Sequence, residues 1–114
     1  MIVGIESSFD ESACSVINSF GEVLCQGGRD VSFSEPELTE DYTGGVDPRV
    51  AERHHKKYLP IAIEKALESI DTSNVEAVAV TVGPGQVGGL NVGLDLALVS
   101  FITPISFFIF VLVV

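Results

Sequence analysis

Basic residues are scarce in this chain. Six Lys and Arg stand against sixteen Asp and Glu among 114 residues, a formal net charge of −10. Proteins hold a nucleic-acid backbone by displacing its counterions with Lys and Arg, so this surface is a poor grip for a polyanion. Cysteine is nearly as rare. Cys14 and Cys25 sit among apolar neighbours in stretches that read as strands, and they are expected as buried thiols of a reducing compartment rather than as a disulfide. No CxxC or Cys/His spacing supports a zinc site. Neither a His-Glu-x-x-His helix nor a Ser-His-Asp set is present, which leaves no basis for a peptidase. The glycines are not followed by Gly-Lys-Ser/Thr, which excludes a P-loop, and their spacing does not settle into a dinucleotide-binding fingerprint. The N-terminus shows neither an Arg-rich presequence nor signal-peptide architecture.

What is present is organised around the first eleven residues. The apolar run over residues 2–5 reads as a buried strand, and residues 12–18 alternate apolar and polar like a half-buried one. Between them stand Ser7, Ser8, Asp10 and Glu11, which places two hydroxyls and two adjacent carboxylates in a tight turn. Such a turn offers backbone N–H groups and hydroxyls to an anion, while its acids can hold a cation or orient a nucleophile. Asp10 and Glu11 are therefore the catalytic candidates, and Ser7 and Ser8 the candidates for holding phosphate.

Further along, Ser19-Phe-Gly21 reads as a hairpin turn with Gly21 at positive φ, and a third strand returns over residues 22–26. Residues 29–47 read as an acidic, exposed linker. Asp47 is a good N-cap and Pro48 a good first helical residue. The helix is expected to reach about residue 69, with Leu59, Ile63, Ala66, Leu67 and Ile70 as its apolar stripe and a kink at Pro60 or a break near Tyr58. The adjacent His54 and His55 point about 100° apart on a helix and cannot easily share one metal. His54 is expected to face solvent, and His55 to pack or hydrogen-bond. A turn over residues 71–74 leads to a nearly continuous apolar strand at 75–82. The glycine-rich stretch at 83–93 then runs into a second helix. Two readings stand for it: glycines that let the helix pack close to the strands, or a turn in which Gly83 and Gly85 contact a bound anion.

Several of these stretches share the wording of one family. Gly4-Ile-Glu-Ser-Ser-x-Asp-Glu11 resembles the first phosphate loop of the actin-like ATPase superfamily, in the form used by the tRNA threonylcarbamoyladenosine synthases of the TsaD (Gcp-like) family. Tyr42-Thr-Gly-Gly-Val-Asp-Pro48 resembles the family's Tyr-Gly-Gly-Val-x-Pro signature. Ala51-Glu-Arg-His-His55 resembles its Ala-x-Arg-x-His element, with Arg53 and His55 on the matching positions. The words Val80-Thr-Val-Gly-Pro-Gly-x-Val-Gly-x-Leu-x-Val-Gly-Leu94 are the most specific match. The Asp-Glu pair separates the chain from the non-catalytic paralogue TsaB.

The resemblance covers residues 2–97 and implies an α/β fold: an incomplete actin-like, ribonuclease H-like lobe in the order β-β-β-α-β-α, followed by an apolar tail over 98–114. Beyond Leu94 the agreement fails, since Ala97 is followed by Leu98 where the family has Ala-Lys, and the family's His-x-x-x-His metal motif occurs nowhere in the chain. Residues 96–114 carry no charge, just the length needed to cross about 30 Å of hydrocarbon as a helix. Pro104 and the β-branched and aromatic residues of the last ten positions favour a buried strand in an unfinished sheet, from a truncated or frame-shifted ending; a membrane segment is the competing reading.

What the resemblance implies is transfer of a threonylcarbamoyl group from threonylcarbamoyl-adenylate to N6 of an adenosine in tRNAs that read ANN codons. It also implies iron or zinc in the full-length family, though no cofactor on this chain, and TsaB-like and TsaE-like partners. With its acidic surface, this segment is not expected to grip tRNA directly, nor to be active alone. A non-catalytic partner-binding lobe and a small membrane-anchored protein are the alternatives. The cytoplasm is the expected location, with a mitochondrial relative or membrane association through the tail as the other options.

Overall fold

The computed structural model describes residues 1–30, 47–100 and 107–112. Five strands, β1 (Ile2–Glu6), β2 (Glu11–Ile17), β3 (Val23–Asp30), β4 (Ala77–Gly83) and β5 (Phe107–Leu112), form one mixed sheet in the order β3-β2-β1-β4-β5. The first three are antiparallel neighbours, whereas β4 runs parallel to both β1 and β5. Helices α1 (Pro48–Leu67) and α2 (Val87–Ser100) make the crossovers. α1 lies on β2 and β3, α2 lies on β4 and β1, and the two helices pack against each other. This is the expected α/β architecture.

Pleating divides the sheet chemically, because side chains alternate between its faces. Val3 and Ile5 of β1 pair with Val16 and Cys14 of β2 on one side and with Val78 and Val80 of β4 on the other. All six are buried under the helices and join Leu59, Ala62, Ile63 and Ala66 of α1 and Val92 and Ala97 of α2 in one core. The opposite face carries Gly4, Glu6, Ala13, Ser15 and Ala79, small or polar residues in the alternate register. Burial without a charge partner pushes the Cys14 thiol up to about 12. Both cysteines are free, as expected, but only Cys14 is buried; Cys25, expected to be buried as well, is half-buried on β3 toward the sheet edge.

Local signals set most element boundaries. Gly21 takes φ 78° in the β2–β3 hairpin, where a side chain would be strained. Asp47 caps α1 by accepting the Arg49 N–H at 2.9 Å, which together with the Arg49 side chain holds its carboxyl below the usual range. Asp71 caps a 3-10 turn at Thr72–Asn74 in the same way, through Ser73.

Four expectations need correction. β3 continues to Asp30, so the stretch read as a linker from residue 29 begins later; residues 31–46 lie outside the described residues, and with them Tyr42, Gly44 and Gly45. α1 is not broken near Tyr58 but runs for 20 residues through Pro60, because Leu59, Ala62 and Ile63 on either side are held in the core while Pro60 itself is exposed. His54 does not face solvent. It is 0% exposed, with its ring 4.8 Å from Tyr58 and 5.6 Å from His55, on a helix covered by α2 as well as by the sheet. Finally, of the two readings of residues 96–114 the competing one, a single membrane-length helix, is set aside: residues 96–100 finish α2, and residues 107–112 form a strand paired with β4, as the favoured reading had it. Among the described residues no helix is long and apolar enough to cross a membrane.

Leu59, 0% exposed, and Ile61, 54% exposed, stand two residues apart on α1. Leu59→Ala is expected to cost about 2–5 kcal/mol of folding stability, and Ile61→Ala well under half of that, as read by urea unfolding of the full chain. A thiol reagent at pH 8 should modify Cys25 rapidly and Cys14 only as the chain unfolds. Because the folded Cys14 keeps its proton above the unfolded value of 9.0, stability should fall as pH rises from there toward 12.

Candidate functional site

Residues 7–10 leave β1 and return into β2 as a turn wedged between the starts of both helices. On the α2 side the contact is backbone against backbone. A Cβ at Gly85 would lie 2.6 Å from the Ser8 carbonyl oxygen, one at Gly89 would lie 2.5 Å from the Ser7 carbonyl oxygen, and one at Gly93 would collide with Ser7 Oγ. None of these is a distance that real side chains adopt. The missing Cβ at Gly85, Gly89 and Gly93 is what permits this approach.

Polar groups caught in that contact are matched in pairs. The Ser7 hydroxyl, 1% exposed, donates to the Gly89 carbonyl at 2.8 Å. The Gln86 amide donates to the Ser8 carbonyl at 2.7 Å, and the Ser8 amide donates to Glu6 Oε1 at 2.6 Å. Gly83 ends β4, buried, ahead of a cis peptide to Pro84. Ser7, Ser8 and Gly85 are thus brought together. In this arrangement, however, the Ser7 hydroxyl points into the protein and the Ser8 amide already serves a carboxylate.

The α1 side is held by His55. Its Nδ1 lies 2.7 Å from Ser12 Oγ and its Nε2 lies 3.1 Å from the Phe9 carbonyl oxygen, so the ring spans both ends of the segment that carries Asp10 and Glu11. His55 and Ser12 are both 0% exposed. Burial lowers the pKa of His55 below the ordinary 6.5; His54 adds to the lowering, while the Phe9 carbonyl, Glu6 and Asp10 oppose it. Asp10 is half-buried in the turn. Glu11, expected in the turn, is instead the first residue of β2, exposed and paired with Asp30.

A groove of about 580 Å³ is lined by Glu6, Glu11 and Thr81 of the sheet together with Lys65 of α1. Ser7, Ser8, Asp10, Gly83 and Gly85 are not among its lining residues. The carboxylates Glu6 and Glu11 therefore look onto an open groove, whereas the serine and glycine partners lie inside the contact with α2. Sequence reasoning did not find Glu6, Ser12 or the span of His55. The strand alternation that turns Ser12 inward was the available signal.

The described residues do not fit an iron or zinc ion. Both ring nitrogens of His55 are engaged by Ser12 and Phe9, and among the described residues no group of three His, Cys, Asp or Glu could hold a metal.

Fold and site together define an α/β lobe in which a carboxylate-bearing turn is built against a glycine-rich helix start. Comparison with known proteins gives this lobe its family. The model of the family TsaD, tRNA N6-adenosine threonylcarbamoyltransferase, matches residues 29–99, more than half of the chain, and the chain belongs to that family. The tRNA N6-adenosine threonylcarbamoyltransferase of Thermotoga neapolitana is 40% identical over 96 residues, which are 84% of this chain and 28% of that protein. Those of Staphylococcus carnosus and Geobacillus thermodenitrificans are 42% and 40% identical, over 85% and 84% of this chain and 27% of each relative. The chain thus spans little more than a quarter of the length of the curated relatives it matches.

Gly89→Ala is expected to destabilise the fold by about 1–3 kcal/mol, since the added methyl meets the Ser7 carbonyl oxygen and His55 Cδ2, at 2.5 and 2.8 Å, and neither can move without breaking a buried hydrogen bond. Denaturant unfolding checks this, with Gly88→Ala as the milder comparison because the atoms it approaches most closely belong to the Glu52 side chain.

Proposed function

We propose that this chain is the front of an actin-like lobe of a tRNA N6-adenosine threonylcarbamoyltransferase, and that its carboxylate turn serves the acyl transfer. The observation that carries this reading is the junction itself: Asp10 in the turn and Glu11 at the start of β2 follow directly on Ser7 and Ser8, which are packed against Gly85, Gly89 and Gly93, in a chain of this family. In the reaction the adenosine N6 attacks the carbamoyl carbon of threonylcarbamoyl-adenylate. A C–N bond forms, the C–O bond to phosphate breaks, AMP leaves, and N6 gives up a proton. Asp10 and Glu11 are assigned to orienting the amine and taking that proton. Ser7, Ser8, Gly83 and Gly85 are assigned to the loop that shapes the phosphate end. The hydrogen bond from the Ser8 amide to a carboxylate oxygen supports this, because it is the contact an anionic oxygen would make.

The acidic composition supports a division of labour in which other parts of the complete enzyme grip tRNA. A second reading, that the lobe is a docking element for TsaB-like or TsaE-like partners, is favoured by α2, whose Val87 and Val99 are 72% and 77% exposed. The two readings are compatible in one lobe. Cytoplasmic location follows from the same assignment.

Residues 1–97 grafted in place of the matching part of the Thermotoga neapolitana relative are expected to support threonylcarbamoyl transfer to tRNA, whereas residues 1–114 alone are expected to give none. In the graft, Asp10→Asn with Glu11→Gln should lower the rate by about a hundredfold or more. A double variant as fast as the unaltered graft would remove both carboxylates from the chemistry.

A further inference from the structure

We propose that His55 is a positioning residue: as the neutral Nε2–H tautomer it fixes the conformation of residues 9–12, and through them the directions in which Asp10 and Glu11 leave the turn. The argument begins with what each partner can do. The Phe9 carbonyl can only accept, so the nitrogen 3.1 Å from it, Nε2, carries the proton. In a neutral ring Nδ1 is then the acceptor, and the Ser12 hydroxyl at 2.7 Å donates to it. One planar ring therefore ties the residue before Asp10 to the residue after Glu11. No other side chain makes a comparable cross-link over this segment among the described residues.

The ring is itself held. The Gly89 position lies against its Cδ2 edge, where a Cβ would come within 2.8 Å, so α2 closes one side of the imidazole while α1 supplies its backbone. The titratable groups facing it are His54 on the same helix, Glu6 at the end of β1 and Asp10 in the turn. Glu6 and Asp10 favour a positive ring, but burial outweighs them, and in the neutral form that burial favours both hydrogen bonds are made with Ser12 donating. Because the folded value is depressed, this contribution to stability is complete above the unfolded 6.5 and is lost as pH falls below it toward the folded value. The use of this geometry in acyl transfer rests on the function proposed above. The geometry itself does not, and the experiment below reads only the turn, so a failure here leaves that function to its own test.

The test is heteronuclear NMR of the ¹⁵N-labelled full chain. The His55 ring is expected as the Nε2–H tautomer at pH 7.5, ionising below the ordinary histidine range. Ser12→Ala removes the partner of Nδ1, so the ring should keep its Nε2 proton on the Phe9 carbonyl but ionise at a changed pH. His55→Gln places an amide near the Nε2 position and should keep the amide shifts of residues 9–12 close to the parent's. His55→Asn reaches only toward Ser12 and should move them, while the Thr72–Asn74 turn stays unchanged in every variant. A parent ring found as Nδ1–H would overturn the proposal. So would a Ser12→Ala chain with unaltered His55 ionisation, or folded Gln and Asn variants with equal shifts over residues 9–12. If the Asn variant fails to fold, the Ser12→Ala titration decides alone.

Discussion

The structure depends on how closely the turn after β1 approaches both helices. α2 and the turn before it can reach it only because three contact positions, Gly85 in that turn and Gly89 and Gly93 on the helix, have no Cβ. That approach expels water from the junction, so each polar group trapped there needs a partner within the protein. Three such matches are Ser7 on Gly89, Ser12 on His55, and His55 on Phe9. Losing one leaves the other buried and unmatched, which costs more than the bond itself contributes. The core above the sheet is ordinary by comparison, a layer of valine, isoleucine, leucine and alanine that tolerates substitution by volume.

The same junction explains why the two faces of the sheet differ. Where the helices press, β1, β2 and β4 present Val3, Ile5, Cys14, Val16, Val78 and Val80. On the other face small residues stand in register across the three strands, and the carboxylates gather at the end where the turn emerges. Packing energy is thus concentrated on one side of the sheet and charge on the other, and the turn is the place where the chain passes between them.

Much of this was legible in the sequence, for reasons that differ by element. The alternation of residues 12–18, the apolar run into β4 and the Asp47-Pro48 helix start are local signals, and each locates its element to within a few residues. The glycines of α2 announced a close approach but not what approached, since the turn they meet lies some eighty positions earlier in the chain. His54 was misjudged because one amphipathic stripe was assumed, whereas α1 is covered by α2 as well as by the sheet. Pro60 was given too much weight: local propensity predicts a break, but tertiary packing of its neighbours overrides it. The span of His55 across the turn could not be read at all, because it joins residues 43 and 46 positions apart through contacts with no local signature.

Apart from the Glu6 carboxylate that accepts from the Ser8 amide, the turn is positioned by neutral groups: hydroxyls, an imidazole and backbone carbonyls and amides. Residues 6–12 contain three carboxylates and no Lys or Arg, and α1's nearby Lys56 is paired with Glu52 at 3.2 Å. Holding the carboxylates through cations would fix their direction but also neutralise them. Holding the backbone around them fixes direction and leaves the charge free to act. The cost is felt by any acyl phosphate brought to the turn, which meets negative charge at short range and a Ser8 amide already given to Glu6. For an anion to settle there, Glu6 must yield that amide and positive charge must come from outside residues 6–12. A lobe built in this way has its acids set in place and leaves the counter-charge to be supplied from elsewhere.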